Sequence, residues 1–394
     1  MSSSGESLST ALIHHPYQPP RGFKAPQPAV HKASTVIFAN TAALRARSWK
    51  EKTGYTYGLH GTPTTFMLEE RIATLEGGTH CVLVPSGLAA ITLVDAALLS
   101  AGDEVLIPDN AYGPGKELAR HELARWGIAH RTYDPADPQA LAEMLTPATK
   151  LVWLEAAGSV TMEFPNLPAL VRAARSQGAV VALDNTWGAG IAFKPFEIEP
   201  GLGVDVSIHA LTKYPSGGGD VLMGSVTSRD AALHLKFNAT HMRMGWGVAA
   251  NDAELVLRSL PSLPLRYAAQ DQAARTLANW WAGRPEVARV LHPAFTGSPG
   301  HEHWLRQCSA AAGLFSVVFD ERYSSSQVDA FVDALRRFRI GFSWAGAVSL
   351  VVPYELSMIR AQPAWRGTLV RFSVGLEAVS DLIKDSEQAL AALG

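Results

Sequence analysis

Lys213 and Asp184 are the two side chains of this 394-residue sequence whose type and setting point most directly to chemistry. Val204 to Ala210 reads as a strand, and Lys213 follows its end, just ahead of the loop Tyr214-Pro-Ser-Gly-Gly-Gly-Asp220. Asp184 closes a second apolar run, Val180-Val-Ala-Leu183. An amine leaving an apolar sheet can capture an aldehyde covalently. A carboxylate at a neighbouring strand end can keep a ring nitrogen protonated, so that the ring accepts electrons. Taken singly, Lys213 reads better as a solvated loop lysine and Asp184 as a helix cap. The pair gains weight only beside a phosphate site.

Such a site is offered by Val84-Pro-Ser-Gly-Leu-Ala89, which ends a strand and opens a helix. After Ser86, the backbone N–H groups of Gly87 and Leu88 would face an anion on the positive end of the helix dipole. An ordinary serine-capped helix fits the same run. Thr212 could add a hydroxyl to the same anion. An amine, a carboxylate and an anion cradle are together what pyridoxal phosphate (PLP) requires. Tyr112, after Pro108-Asp-Asn-Ala111, would stack on a flat ring or sit as a half-buried loop tyrosine. Arg371 interrupts the apolar strand Thr368–Val374, where a lone charge must find a partner. A substrate carboxylate would serve; read alone, a structural salt bridge is the stronger choice.

The elements that must position these groups follow from the pattern. Apolar runs at 81–84, 105–107, 128–133, 151–154, 180–183, 204–208 and 222–226 read as strands, with helices at 87–99, 114–126, 138–145 and 167–177 between them. Strands apolar throughout and separated by helices predict an α/β fold: a mostly parallel seven-stranded sheet with helices on both faces. Ligands of such sheets sit beyond the carboxyl ends of the strands, where Asp109, Glu155, Asp184 and Lys213 fall. Residues 229–285 read as helical. Strands at 313–319 and 368–374 with helices near 326–337 and 379–392 predict a smaller C-terminal α+β domain. Residues 1–60, punctuated by Pro16, Pro19, Pro20, Pro26 and Pro28, read as an arm without a core of its own. The expected division is arm 1–60, large domain 61–258 and small domain 259–394.

Composition narrows the class. The chain is 47% hydrophobic and 18% charged with a net charge of −2, which offers nothing to nucleic acid or an anionic membrane. Two cysteines make neither a disulfide framework nor a zinc spacing, and the polar stretch from Met1 to Pro20 contains no signal peptide; a cytoplasmic protein is expected. Rival motifs fail. Gly201-Leu-Gly203 lacks the third glycine of a dinucleotide fingerprint, and there is no Walker-type loop. On a helix the rings of His301 and His303 diverge, so no metal site is expected.

Tyr57, Ser86-Gly87, Tyr112, Asp184-Asn-Thr-Trp187 and Thr212-Lys-Tyr214 together resemble the Cys/Met-metabolism PLP enzymes of aminotransferase fold type I, over most of the chain from about Tyr57 onward. Ala157–Glu163 and Phe342-Ser-Trp-Ala345 are most similar to the bacterial branch that performs β-elimination on cystathionine. The resemblance implies that Lys213 binds the cofactor covalently and then serves as base and acid. It implies that Asp184 pairs with the ring nitrogen and that Tyr112 stacks on the ring. Ser86, Gly87, Leu88 and Thr212 would take the phosphate, with Tyr57 from a neighbouring subunit. Arg371, Ser343 and Trp344 would hold the substrate, and the assembly would be a homotetramer with shared sites.

Three positions depart from the family pattern: Leu59 stands where an arginine usually clamps the phosphate, and Gly113 and Val348 stand where the β-eliminating branch carries acids. The last two are expected to line the distal part of the pocket. The expected activity is α,β-elimination of L-cystathionine. A cysteine desulfhydrase, a γ-lyase, a γ-synthase, an aminotransferase and a PLP-binding sensor are the alternatives.

Overall fold

The computed structural model describes residues 6–14, 21–49, 52, 54–360 and 365–394; Pro16, Pro19 and Pro20 of the expected arm lie outside them. The seven apolar runs form one sheet: β1 (His80–Val84), β2 (Glu104–Pro108), β3 (Ala129–Tyr133), β4 (Thr149–Glu155), β5 (Val180–Asp184), β6 (Val206–His209) and β7 (Gly224–Ser228). Their order is β1-β7-β6-β5-β4-β2-β3. Only β7 runs against the others, pairing antiparallel with both β1 and β6. Side chains alternate between two buried layers, one containing Leu83, Leu154 and Leu183 and the other Val82, Ala182 and Val206. Both faces are thus covered over the central strands, which is why β2, β4 and β5 read as apolar runs, whereas the edge strand β3, Ala-His-Arg-Thr-Tyr, is mostly exposed or half-buried.

A second sheet contains β8 (Val287–Leu291), β9 (Leu314–Phe319), β10 (Arg339–Ile340), β11 (Leu350–Glu355) and β12 (Thr368–Ser373), in the order β10-β11-β12-β9-β8. Its core packs Trp281, Phe315, Phe319, Phe331 and Phe372 together. The expected strands at 313–319 and 368–374 are its β9 and β12. The helical stretch 229–285 resolves into Ala231–Met244, Ala250–Ser259 and Leu263–Ala282. The expected helix 114–126 begins at Gly113 and passes into a wider turn over Ala119–Leu123.

Helix Pro63–Glu76 starts on a reciprocal cap in which Thr62 Oγ1 accepts from Thr65 N and Thr65 Oγ1 from Thr62 N, and it stops at Gly77 with φ +78°. The arm is less detached than its composition suggests. A short helix, Leu8–Ile13, inserts Leu12 fully into the core that also holds Leu68, Leu83 and Leu154. Among the described residues no helix is long and apolar enough to cross a membrane.

Candidate active site

The carboxyl ends of β4, β5 and β6 and the loop after β1 open into one cavity of about 2310 Å³, walled on its far side by the loop before β11 and by β11 and β12. Ser86, Gly87, Leu88, Tyr112, Asp184, Thr212, Lys213, Ser343, Trp344 and Arg371 all line it. Tyr57 does not line the cavity of its own chain and is 46% exposed. Of the departures, Gly113 lines the wall, whereas Val348 does not, and is 53% exposed. Leu59 belongs to a separate small pocket with Thr65, Phe66 and His241.

Lys213 Nζ donates to Ser343 Oγ over 2.7 Å and lies 5.6 Å from the centre of the Trp344 ring. Burial, reinforced by Arg371 and opposed by Asp184, lowers its pKa to about 8. Asp184 is held by Thr186 N, which donates to its Oδ1 over 2.9 Å. Burial raises its carboxyl above the usual range, against the pull of Thr186 and His209. Glu155 is its register partner on β4 and is pushed higher still, first by burial and then by Asp184. Glu155 also accepts from Tyr112 N over 2.7 Å, which fixes the start of the helix that presents Tyr112.

The expected anion cradle is a capped helix start at the cavity wall. Ser86 caps helix Gly87–Leu98 through a bond from Ala89 N to its Oγ, leaving the first N–H groups of that helix without partners inside it. A Cβ on Gly87 would come within 2.6 Å of the Ala210 Cβ, so the position admits only glycine while the loop stays closed. Thr212 Oγ1 meanwhile exchanges hydrogen bonds with the backbone of Met223. The residues therefore fit PLP: an amine of lowered pKa, a carboxylate on the adjacent strand, and a helix N-terminus stripped of side-chain bulk.

Arg371 does not make the salt bridge that the sequence favoured when read alone. It is 8% exposed and its Nη2 donates to the Ser343 carbonyl over 3.3 Å, with its guanidinium 5.6 Å from the Tyr354 ring centre. Among the described residues no acidic side chain lies within ion-pair distance of it, and its Nε has no partner. A buried cation facing a cavity without an internal counter-ion is suited to an incoming carboxylate.

Sequence reasoning did not single out the charged rim. Arg360 contacts Asp109 Oδ1 at 3.1 Å and Glu163 Oε1 at 2.8 Å, and Lys116 Nζ donates to the carbonyls of Asp109 and Ile359. These contacts fasten the segment after β11 to the large domain. Their partners lie up to 243 residues apart, beyond the reach of any local pattern.

A mostly parallel sheet with a lysine and a carboxylate at adjacent strand ends, backed by a second, mostly antiparallel sheet, defines a fold type I PLP enzyme. The chain belongs to the Cys/Met metabolism PLP-dependent enzymes, whose family model matches residues 9–391. It is 39% identical over 398 residues to a cystathionine β-lyase of Bordetella avium, covering 98% of each chain. It is 35% identical over 395 residues to cystathionine β-lyase MetC of Escherichia coli K12, again covering 98% of each. A crystal structure of cystathionine γ-synthase from Xanthomonas oryzae pv. oryzae, in complex with aminoacrylate and cysteine, superposes with a TM-score of 0.89 at 29% identity, covering 98% of each chain.

Proposed function

We propose that this protein is a cystathionine β-lyase, which cleaves the Cβ–S bond of L-cystathionine with one water to give homocysteine, pyruvate and ammonia. The observation that carries the reading is Arg371, a buried cation without an acidic partner among the described residues, opening on the same cavity as Lys213. That arrangement calls for a substrate with a carboxylate next to the carbon where a proton is removed. Full-length similarity to cystathionine β-lyases supports the choice of substrate.

PLP, when bound, supplies an electron-withdrawing ring that makes the substrate Cα proton acidic. Everything else falls to the chain. Arg371 binds the α-carboxylate in two-point fashion, with Ser343 and Trp344 beside it, and so fixes which Cα bond faces Lys213. Lys213 takes the Cα proton; with its pKa near 8, a useful fraction is neutral at physiological pH. The protonated amine then serves as the acid for the departing sulfur. Asp184 would hold the ring nitrogen, Tyr112 would cover the ring, and Ser86, Gly87, Leu88 and Thr212 would hold the phosphate. Tyr57 completes the site from a second copy of the chain, in a cytoplasmic homotetramer of arm, large domain (61–258) and small domain (259–394).

The test is to incubate the PLP-loaded protein separately with cystathionine, cystine and methionine and identify the keto acid. Pyruvate from cystathionine is expected. A γ-acting enzyme is the second reading, favoured by the close superposition on a γ-synthase; 2-oxobutyrate in place of pyruvate would establish it.

A further inference from the structure

At the ends of three neighbouring strands the cavity is edged by a row of carboxyls. Asp184 closes β5, and Glu155, its register partner, closes β4. β2 pairs Leu106 with Val152 of β4, and the same register carried three residues on sets Asp109, just past the end of β2, opposite Glu155. All three line the cavity. Adjacent strands lie about 4.8 Å apart, so Asp109 stands roughly 10 Å along the sheet from Asp184. Asp184 is assigned to the ring nitrogen, and Glu155 is engaged by Tyr112 N. The reaction scheme gives Asp109 no task.

The Asp109 carboxyl is short of partners. Arg360 Nη2 lies 3.1 Å from its Oδ1 but out of line for a hydrogen bond, and nothing else among the described residues donates to that atom. Arg360 answers first to Glu163, whose Oε1 accepts from Nη1 over 2.8 Å. Lys116 Nζ is close, yet it donates to the Asp109 backbone carbonyl over 2.7 Å and to that of Ile359. Burial raises the Asp109 carboxyl in spite of Arg360, which marks an anion that a further cation would steady. The side chain is 37% exposed, so a ligand in the cavity can reach it.

Cystathionine brings such a cation. It carries an ammonium and a carboxylate at each end of a thioether chain, and only one end meets Lys213 and Arg371. The other ammonium enters a walled cavity and needs an anion there. Gly113 has no side chain to offer, and Val348 does not line the cavity. Of the remaining acids that do, Glu117, Asp134, Asp329 and Glu355 are exposed, and Glu122 is paired with Arg125. Asp109 is half-buried and in line with Asp184.

We infer that Asp109 is a specificity-determining residue: its carboxylate takes the distal ammonium of the substrate, while Arg360 steadies it from the opposite side. The inference rests on the reading of cystathionine as the substrate.

The test compares kcat/KM of the full-length, PLP-loaded protein for L-cystathionine and for S-(3-carboxypropyl)-L-cysteine, in which hydrogen replaces the distal amino group. Both release pyruvate. The wild-type chain should prefer cystathionine by about tenfold or more, the effect of one hydrogen bond between charged groups. In Asp109→Asn, which keeps the shape and removes the charge, that preference should shrink about tenfold. Thermal melting of the variant checks the fold. An equal loss for both substrates in a folded Asp109→Asn protein, or no loss, overturns the inference and leaves Asp109 as an anchor for Arg360. Equal turnover of the two substrates by the wild type overturns it without any variant. No pyruvate from either substrate removes the β-lyase reading itself, and the inference with it.

Discussion

The Ser343 hydroxyl accepts a hydrogen bond from Lys213 Nζ over 2.7 Å, joining the loop before β11 of the small sheet to the loop after β6 of the large one. Ser343 does this from a left-handed backbone, φ +91°, while its carbonyl accepts from Arg371. A non-glycine residue held there costs about 1–3 kcal/mol. The strained residue thus touches both Lys213 and Arg371, the two groups proposed to meet the substrate.

Hydroxyl and strain can be separated by substitution. Ser343→Ala keeps the strained conformation and removes the acceptor; Ser343→Gly removes both. Turnover should fall by a similar factor in the two, about tenfold for one lost hydrogen bond to a charged amine. Thermal melting should differ, with the glycine variant more stable than the alanine variant by about 1 kcal/mol. Equal melting of the two would show that the backbone at 343 is relaxed.

Lys213 carries a stability cost with a definite pH signature. Its pKa of about 8 in the folded chain is below the 10.5 of a free lysine. Below pH 8 both folded and unfolded chains hold the proton, and the folded state bears the buried charge. Between 8 and 10.5 the folded state has released the proton while the unfolded state keeps it, so stability rises with pH across that window. Lys213→Met should therefore abolish turnover, yet raise the stability of the cofactor-free protein at pH 7 by about 2 kcal/mol after allowance for partial solvent contact. The wild-type rate of covalent PLP capture should increase about tenfold per unit up to pH 8 and then level off, since only the neutral amine attacks.

Arg371 gives a prediction of opposite character. Arg371→Lys keeps the charge and loses the two-pronged grip on a carboxylate, so KM should rise by about 10- to 100-fold with a smaller change in kcat. Arg371→Met should eliminate measurable turnover of amino-acid substrates while leaving PLP binding intact. The second variant should also melt higher, because it removes a buried cation that no acid among the described residues neutralises. A lower melting temperature would point to a counter-ion for Arg371 within the chain.

How much of this was legible in the sequence depended on whether the signal was local. β1, β2, β4 and β5 stood out because strands buried on both faces are largely apolar, and Lys213, Asp184 and Gly87 could be found as punctuation at strand ends. Three strands of the small sheet were invisible for local reasons. β8 carries Arg289 and is partly solvated, β10 is two residues long, and β11 contains Pro353, which ordinarily argues against a strand. Arg371 was found, but its lack of an acidic partner among the described residues was not, since sequence favours the commoner salt bridge. Arg360 escaped notice because its contacts with Asp109 and Glu163 join distant parts of the chain and leave no pattern at either end. Val348 was expected in the pocket from family spacing alone; the turn that carries it points it to solvent.

Gly87 offers the sharpest test of the phosphate cradle, because the reason for the glycine is contact and not backbone conformation. A Cβ there would come within 2.6 Å of Ala210 Cβ and 3.3 Å of its Cα, and neither atom can swing aside as a long side chain would. Gly87→Ala must therefore push the helix start away from the strand end that leads to Lys213. Ser86, the cap of that helix, would move with it, since Gly224 packs against the Ser86 carbonyl with no room to spare. Overpacking of this kind costs about 1–3 kcal/mol, so the variant should melt several degrees lower. The informative measurement is affinity for PLP against affinity for pyridoxal, which lacks the phosphate. Gly87→Ala should weaken PLP binding by about tenfold or more and pyridoxal binding far less. A uniform loss for both would place the phosphate elsewhere and leave Ser86, Gly87 and Leu88 as no more than a capped helix start.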